Sequence, residues 1–208
     1  LMGLNGAFLT GDLFNLFVFF ELLLAASYGL MLHGSGRARI RAGLHYVVVN
    51  LAASLFFLVG VALIYAVTGT LNMADLAARV PHVAAENRML LEAGAAILGV
   101  AFLVKAGIWP LNFWLPTTYA AAAPPAAALF AIMSKVGLYV VMRLWLLVFG
   151  ALAGASAQFG AGVLFAAGLA TIVFGSVGAL ASRDLQRIAG FAVLVSSGTI
   201  LAVVAIGG

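Results

Sequence analysis

Apolar runs of about twenty residues, separated by short polar turns, dominate the chain. A hydrocarbon core of ~30 Å needs ~20 apolar residues per helix, so the 208 residues leave room for about six crossings. Backbone groups in hydrocarbon have no water to pair with, which leaves only helices or closed barrels. Barrel strands alternate apolar and polar residues. These runs are apolar on every side, so the expected fold class is all-α, a polytopic transmembrane helix bundle. Composition excludes a soluble alternative: 65% of residues are hydrophobic and 8% charged, against about 25% charged in a soluble domain.

Other classes fall away on simple grounds. With no cysteine, disulfides, thiolate metal sites and cysteine nucleophiles are excluded. The net charge of +4 is not gathered into basic clusters interleaved with aromatics, so no nucleic-acid partner is expected. The partner implied is the lipid bilayer. Phosphate loops, dinucleotide fingerprints, metal-ligand clusters and nucleophile–base pairs do not occur, and no cofactor or metal is expected. The chain begins and ends within apolar stretches and reads as part of a longer membrane protein.

Six spans are expected. The first runs from about Leu13 to Leu32, with Asp12 placed to cap it. The second covers about Leu44 to Val67. A polar connection, Thr68 to Arg88, holds a short surface helix near Met73 to Val80. The third span starts near Met89 and is interrupted after Lys105 by Trp109-Pro110 and Leu115-Pro116, because proline lacks a backbone donor and clashes with the preceding turn. The prolines admit two arrangements: half-helices ending near Ile108 and covering Leu111 to Ala120, or a helix that ends at the surface. Further spans cover about 126–149, 160–181 and the residues after Arg187. If the interrupted span is one crossing, Arg37, Arg39, Arg41, Arg183 and Arg187 share a side, which the positive-inside rule makes cytoplasmic.

Three charges lie within apolar runs: Glu21, Lys105 and Lys135. An ionised carboxylate at the middle of a span costs a few kcal/mol, of order 2.5–3.5 for aspartate, and such groups face the bundle interior and mark ion or proton pathways. The chain's two lysines are both in this set, and its other eight basic residues are arginine. Lysine gives up its proton in an apolar setting, whereas arginine keeps its own almost regardless. A group that must take up and release protons is therefore lysine, with anchoring left to arginine. Glu21 and Lys105 are expected to form a switchable pair, aided by half-helix carbonyls that attract an ammonium. A static pair that pins helices, or a Lys105 that snorkels to the interface, is the alternative. Lys135, Tyr139 and Arg143 follow at four-residue spacing, which puts them on one helical face as a polar track. Outward snorkelling of Arg143 with Tyr139 as packing is the competing arrangement. His45 reads as an interface residue.

Several motifs resemble one family. Leu9-Thr10-Gly11-Asp12-Leu13-Phe14-Asn15-Leu16-Phe17-Val18-Phe19-Phe20-Glu21 and Gly69-Thr70-Leu71-Asn72-Met73-Ala74-Asp75-Leu76 are similar to signatures of the D subunit of the multisubunit Mrp (Mnh, Pha) monovalent cation/proton antiporter. Ile108-Trp109-Pro110-Leu111-Asn112-Phe113-Trp114-Leu115-Pro116, Ser134-Lys135-Val136-Gly137-Leu138-Tyr139 and Ser182-Arg183-Asp184-Leu185-Gln186-Arg187-Ile188 also resemble the antiporter-like proton-pumping subunits of NADH-quinone oxidoreductase. The resemblance implies an inverted-repeat antiporter-like fold, with residues 1–150 forming most of the first repeat and residues 151–208 the start of a second. It implies a non-enzymatic secondary transporter subunit in the cell (inner) membrane, partnered by other membrane subunits and moving protons and Na⁺ or K⁺. The proton-relay residues would be Glu21, Lys105, Lys135 and Tyr139, with Pro110 and Pro116 at the helix break. The alternative is a proton-pumping membrane-arm subunit of a redox-driven complex.

Overall fold

The computed structural model describes residues 1–34 and 36–207. Six of its helices are long and apolar enough to cross a membrane. A short helix α1 (Met2–Leu9) leads into α2 (Leu13–Leu32), and α3 (Arg37–Thr68) follows. A surface helix α4 (Met73–Arg79) continues into a single 3₁₀ turn at Val80–His82. The interrupted span is α5 (Ala85–Ala106) and α6 (Leu115–Ala121). Helices α7 (Pro124–Leu147), α8 (Ala161–Ala181) and α9 (Leu185–Ile206) complete the described bundle.

Local chemistry sets the corners. Asp12 caps α2 through Oδ1, which accepts the N–H groups of Phe14 and Asn15, each at 2.9 Å. Asn72 does the same for α4, accepting from Ala74 and Asp75. The two caps lie side by side: Leu13 N–H donates to Leu71 C=O and Met73 N–H to Gly11 C=O. The corner entering α2 and the corner entering α4 are thus fastened together. Helix α3 begins earlier than its apolar run, taking Arg37, Arg39 and Arg41 into its first turns.

Glycine decides how closely the helices approach. Without a driving force from water, membrane helices associate where small residues let backbones meet. Helices α3 and α5 cross at Gly60 and Gly94, where a methyl group on Gly60 would stand 2.7 Å from Leu98 N. Helices α8 and α9 meet at Gly168 and Gly198, where a methyl on Gly198 would lie 2.6 Å from Gly168 O. The first contact sets the register that matters for the site. Gly60 faces Leu98 while Gly94 faces Leu63, so the helices run antiparallel, and Ser54 comes level with Lys105.

The interrupted span crosses once. Arg39 Nε donates to Ala121 C=O at the end of α6. Arg41, Ala121, Asp184 and Arg187 line one cleft of about 770 Å³. The turns after α2, α6 and α8 therefore share a side, as the arginine count required.

Candidate functional site

The break begins inside the bundle, where Gly107 and Ile108 are buried, and its connection reaches the outer face at Trp109, Pro110 and Phe113. Helix α5 ends at Gly107, which adopts a left-handed conformation with φ of 70°; glycine takes this at little cost. The peptide bond between Trp109 and Pro110 is cis. Pro116 stands in the first turn of α6, where its missing N–H is no loss. The break is thus two residues earlier than the prolines suggested, and its second half starts four residues later. Pro110 lies in the connection, whereas Pro116 opens a helix.

Backbone groups at the break find partners within the protein, as membrane depth requires. Ile108 N–H donates to Leu103 C=O at 3.0 Å, and Gly107 N–H to Val104 C=O at 3.1 Å. The Trp114 indole N–H also donates to Val104 C=O, at 3.0 Å. Trp109 N–H is taken by Thr171 Oγ1 of α8, at 2.9 Å. Val104 C=O is therefore supplied with donors already, and the ammonium of Lys105 turns elsewhere.

Lys105 is 5% exposed and does not snorkel. Its Nζ donates to Ser54 Oγ on α3 at 3.3 Å and lies 5.3 Å from the centre of the Phe20 ring, within cation–π range. The Ser54 hydroxyl in turn donates to Glu21 Oε1 on α2 at 2.5 Å. The expected direct Glu21–Lys105 pair is thus mediated: one hydroxyl accepts from the ammonium and donates to the carboxylate. Among the described residues the ion pair within 4.0 Å is Arg79 with Asp75, at the surface. Ser54 escaped the sequence reading because a lone serine in an apolar helix carries no signal. Its alignment with Lys105 depends on the glycine contact between α3 and α5.

Lys135 is partly buried and turns toward α9, where its Nζ donates to Ser197 Oγ at 2.8 Å and Val193 C=O at 3.1 Å. Tyr139 and Arg143 turn toward α1 instead. Tyr139 OH donates to Phe8 C=O at 2.9 Å, and Arg143 donates to Tyr139 OH at 2.9 Å and to Thr10 C=O at 2.7 Å. The predicted face divides, because a lysine stem spans several ångströms and its head finds acceptors on a different neighbour. Arg143 bonds inward to the α1–α2 turn rather than snorkelling outward.

A second polar group lies beyond Lys105. Tyr46 OH shares a hydrogen bond of 2.8 Å with Ser27 Oγ, and Asn50 Nδ2 donates to Tyr46 C=O. Tyr46, Asn50 and Ser54 recur every four residues and make one buried stripe on α3. His45, beside this stripe, lines the basic cleft and lies against the Phe113 ring.

These features define a class: a multi-pass membrane protein with a carboxylate, a hydroxyl and an ammonium joined inside the bundle beside a discontinuous helix. The model of the family described as NADH:quinone oxidoreductase/Mrp antiporter, TM, matches residues 10–208, and the chain belongs to that family. It is 65% identical over 205 residues to the D subunit of a probable K(+)/H(+) antiporter from Rhizobium meliloti, covering 99% of this chain and 38% of that one. It is 46% identical over 199 residues to the D subunit of a Na(+)/H(+) antiporter from Alkalihalophilus pseudofirmus, covering 95% of this chain and 39% of the relative. Among solved structures, the Mrp complex from Dietzia sp. DQ12-45-1b superposes with a TM-score of 0.88 at 35% identity, over 99% of this chain and 38% of that chain. The chain spans about two-fifths of the length of the relatives it matches.

Proposed function

We propose that this chain is the proton-handling part of a subunit of a multisubunit monovalent cation/proton antiporter, a secondary transporter subunit and not an enzyme. The observation that carries the proposal is the Glu21–Ser54–Lys105 chain at the discontinuous helix. Protons would pass between Lys105 and Lys135, with Glu21 and Ser54 setting how firmly Lys105 holds its charge. A proton arriving near Lys105 loosens its contact with Ser54, and each partner's proton affinity then depends on the other's state. Tyr139 stabilises the α1–α7 contact in this scheme, since its hydroxyl is engaged by Phe8 and Arg143. The exchanged ion is Na⁺ or K⁺, the two cations carried in the names of the relatives. Other membrane subunits of the complex are the expected partners. Residues 1–150 are assigned to most of one antiporter-like repeat and residues 151–208 to the start of the next.

The test is cation/proton exchange in everted vesicles containing the full complex, with Glu21→Ala or Lys105→Ala. Loss of exchange with normal assembly is expected, and normal exchange in both variants would end the proposal. A second reading has its own support. The chain is 39% identical over 212 residues to the N subunit of an NADH-quinone oxidoreductase from Desulforudis audaxviator. It also superposes with a TM-score of 0.89, at 33% identity, on a chain of an archaeal membrane-bound sulfane sulfur reductase. In that reading the same relay is driven by a redox module. Genes for iron–sulfur subunits beside this one would favour it, and genes for small membrane subunits would favour the antiporter.

A further inference from the structure

A small cavity lies beside Lys105. It is lined by Lys105 from α5, Asn50 and Tyr46 from α3, Tyr119 from α6 and Ser134 from α7. It offers about 20 Å³ to the centre of a water molecule, and roughly 10–15 Å³ suffices for one water that has polar partners. The rest of its lining is apolar, with Phe20, Leu23 and Leu24 of α2 and Phe130 and Met133 of α7, so few polar groups are offered to a water. The Tyr119 hydroxyl is the decisive one. Tyr119 is 4% exposed, and its hydroxyl makes no hydrogen bond to any described residue. Ser134 is a polar neighbour but donates to Ala131 C=O. A buried hydroxyl without a partner costs about 1–3 kcal/mol, and buried polar groups of this kind are satisfied by protein or by ordered water. The Tyr119 ring packs edge-on against Phe130, which itself stacks on Tyr46.

We infer that this cavity binds one water molecule, held by Tyr119 OH against Lys105 Nζ, and that Tyr119 is a positioning residue for proton transfer from Lys105 toward α7. The inference rests on the proposed proton-handling role. In the transfer, Lys105 gives one N–H proton to the water and becomes a neutral amine, the water passes one of its own through the Tyr119 or Ser134 hydroxyl, and the proton that hydroxyl releases is taken up by Lys135 in its neutral amine form. Tyr119 is placed between the two lysine environments. It lines the cavity beside Lys105. Its Cβ lies 3.4 Å from the position a methyl on Gly190 would take. Gly190 is three residues before Val193, whose carbonyl accepts from Lys135. Nothing in the sequence set Tyr119 apart, because an aromatic residue in a membrane helix is ordinarily packing.

The experiment uses the full complex. A density map resolved well enough to show waters is expected to hold one within hydrogen-bonding distance of both Tyr119 OH and Lys105 Nζ. Tyr119→Phe keeps the ring and removes only the oxygen. It is expected to lose that water and to slow cation/proton exchange in everted vesicles by about five- to tenfold, with an altered H₂O/D₂O rate ratio and unchanged assembly. A map with no water at that position overturns the inference without any variant. So does wild-type exchange in Tyr119→Phe while Lys105→Ala is inactive, an outcome that leaves the proton-handling proposal standing. Wild-type exchange in Lys105→Ala and Glu21→Ala as well removes both.

Discussion

Replacing Ser54 with alanine removes the hydroxyl that joins Lys105 to Glu21 while leaving both charges in place. Two hydrogen bonds are lost, one of 2.5 Å to the carboxylate and one of 3.3 Å from the ammonium. Hydrogen bonds to charged groups contribute about 1.5–3 kcal/mol each. The longer bond is weak on distance alone, so the loss is dominated by the carboxylate contact. At about 1.4 kcal/mol per tenfold in rate, exchange through a path that uses this link falls roughly 10- to 100-fold. The void left is small, because only one oxygen is removed from a helix face where Ser54 is 6% exposed. Ser54→Thr retains the hydroxyl and is expected to keep much of the activity. The assay is dye-quench measurement of the pH gradient in everted vesicles upon addition of Na⁺ or K⁺, with subunit assembly checked on native gels. Wild-type exchange in assembled Ser54→Ala, alongside an inactive Glu21→Ala, would refute the mediated link. It would mean that Glu21 acts on Lys105 through space and that the serine is packing.

Four further outcomes are expected. Lys135→Met removes the donors to Ser197 and Val193 while keeping the apolar stem, and should abolish exchange in vesicles with the complex still assembled. Tyr139→Phe loses the bonds to Phe8 and Arg143; at about 1 kcal/mol each the complex should unfold at lower temperature, yet exchange at about 25 °C should remain within about threefold. Gly60→Leu places side-chain atoms where a methyl would already be 2.7 Å from Leu98 N, and overpacking of this kind costs about 1–3 kcal/mol or more; yield of the assembled complex should drop, as seen by size-exclusion chromatography. Asp75, on the surface helix, accepts a hydrogen bond from Arg79 at 2.9 Å, and this guanidinium, with the Thr70 hydroxyl nearby, holds its carboxyl below the usual 3.8. A depressed carboxyl stabilises the fold above the unfolded-state value and loses that contribution as pH falls through the folded-state value, so the contact should be insensitive to pH near neutrality. Carbon-13 NMR of Asp75 in Arg79→Ala should show the midpoint returning upward.

Glycines show where sequence reasoning falls short. Gly60, Gly94, Gly168 and Gly198 sit in apolar helices rich in glycine, and their spacing did not separate contact positions from the rest. Only pairing of α3 with α5, and of α8 with α9, reveals which backbones touch. That pairing then fixes the partners of every side chain along the two crossings. Ser54 and Tyr119 gain their importance in this way, through a neighbour 51 residues away in one case and a cavity wall in the other.

The solvent, the number of crossings, the interruption after Lys105 and the three charges worth asking about were all legible in the order of the residues. They are legible because hydrophobic run length, proline and intramembrane charge act locally: a charged group in hydrocarbon is costly wherever its helix packs. Which charge meets which was settled by the packed bundle. It put Ser54 between Glu21 and Lys105, sent Lys135 to α9 and Tyr139 to α1, and left Tyr119 lining the cavity beside Lys105. Those outcomes depend on helix register and on contacts between residues far apart in the chain, and a long flexible lysine stem reaches acceptors that no periodicity along its own helix can specify.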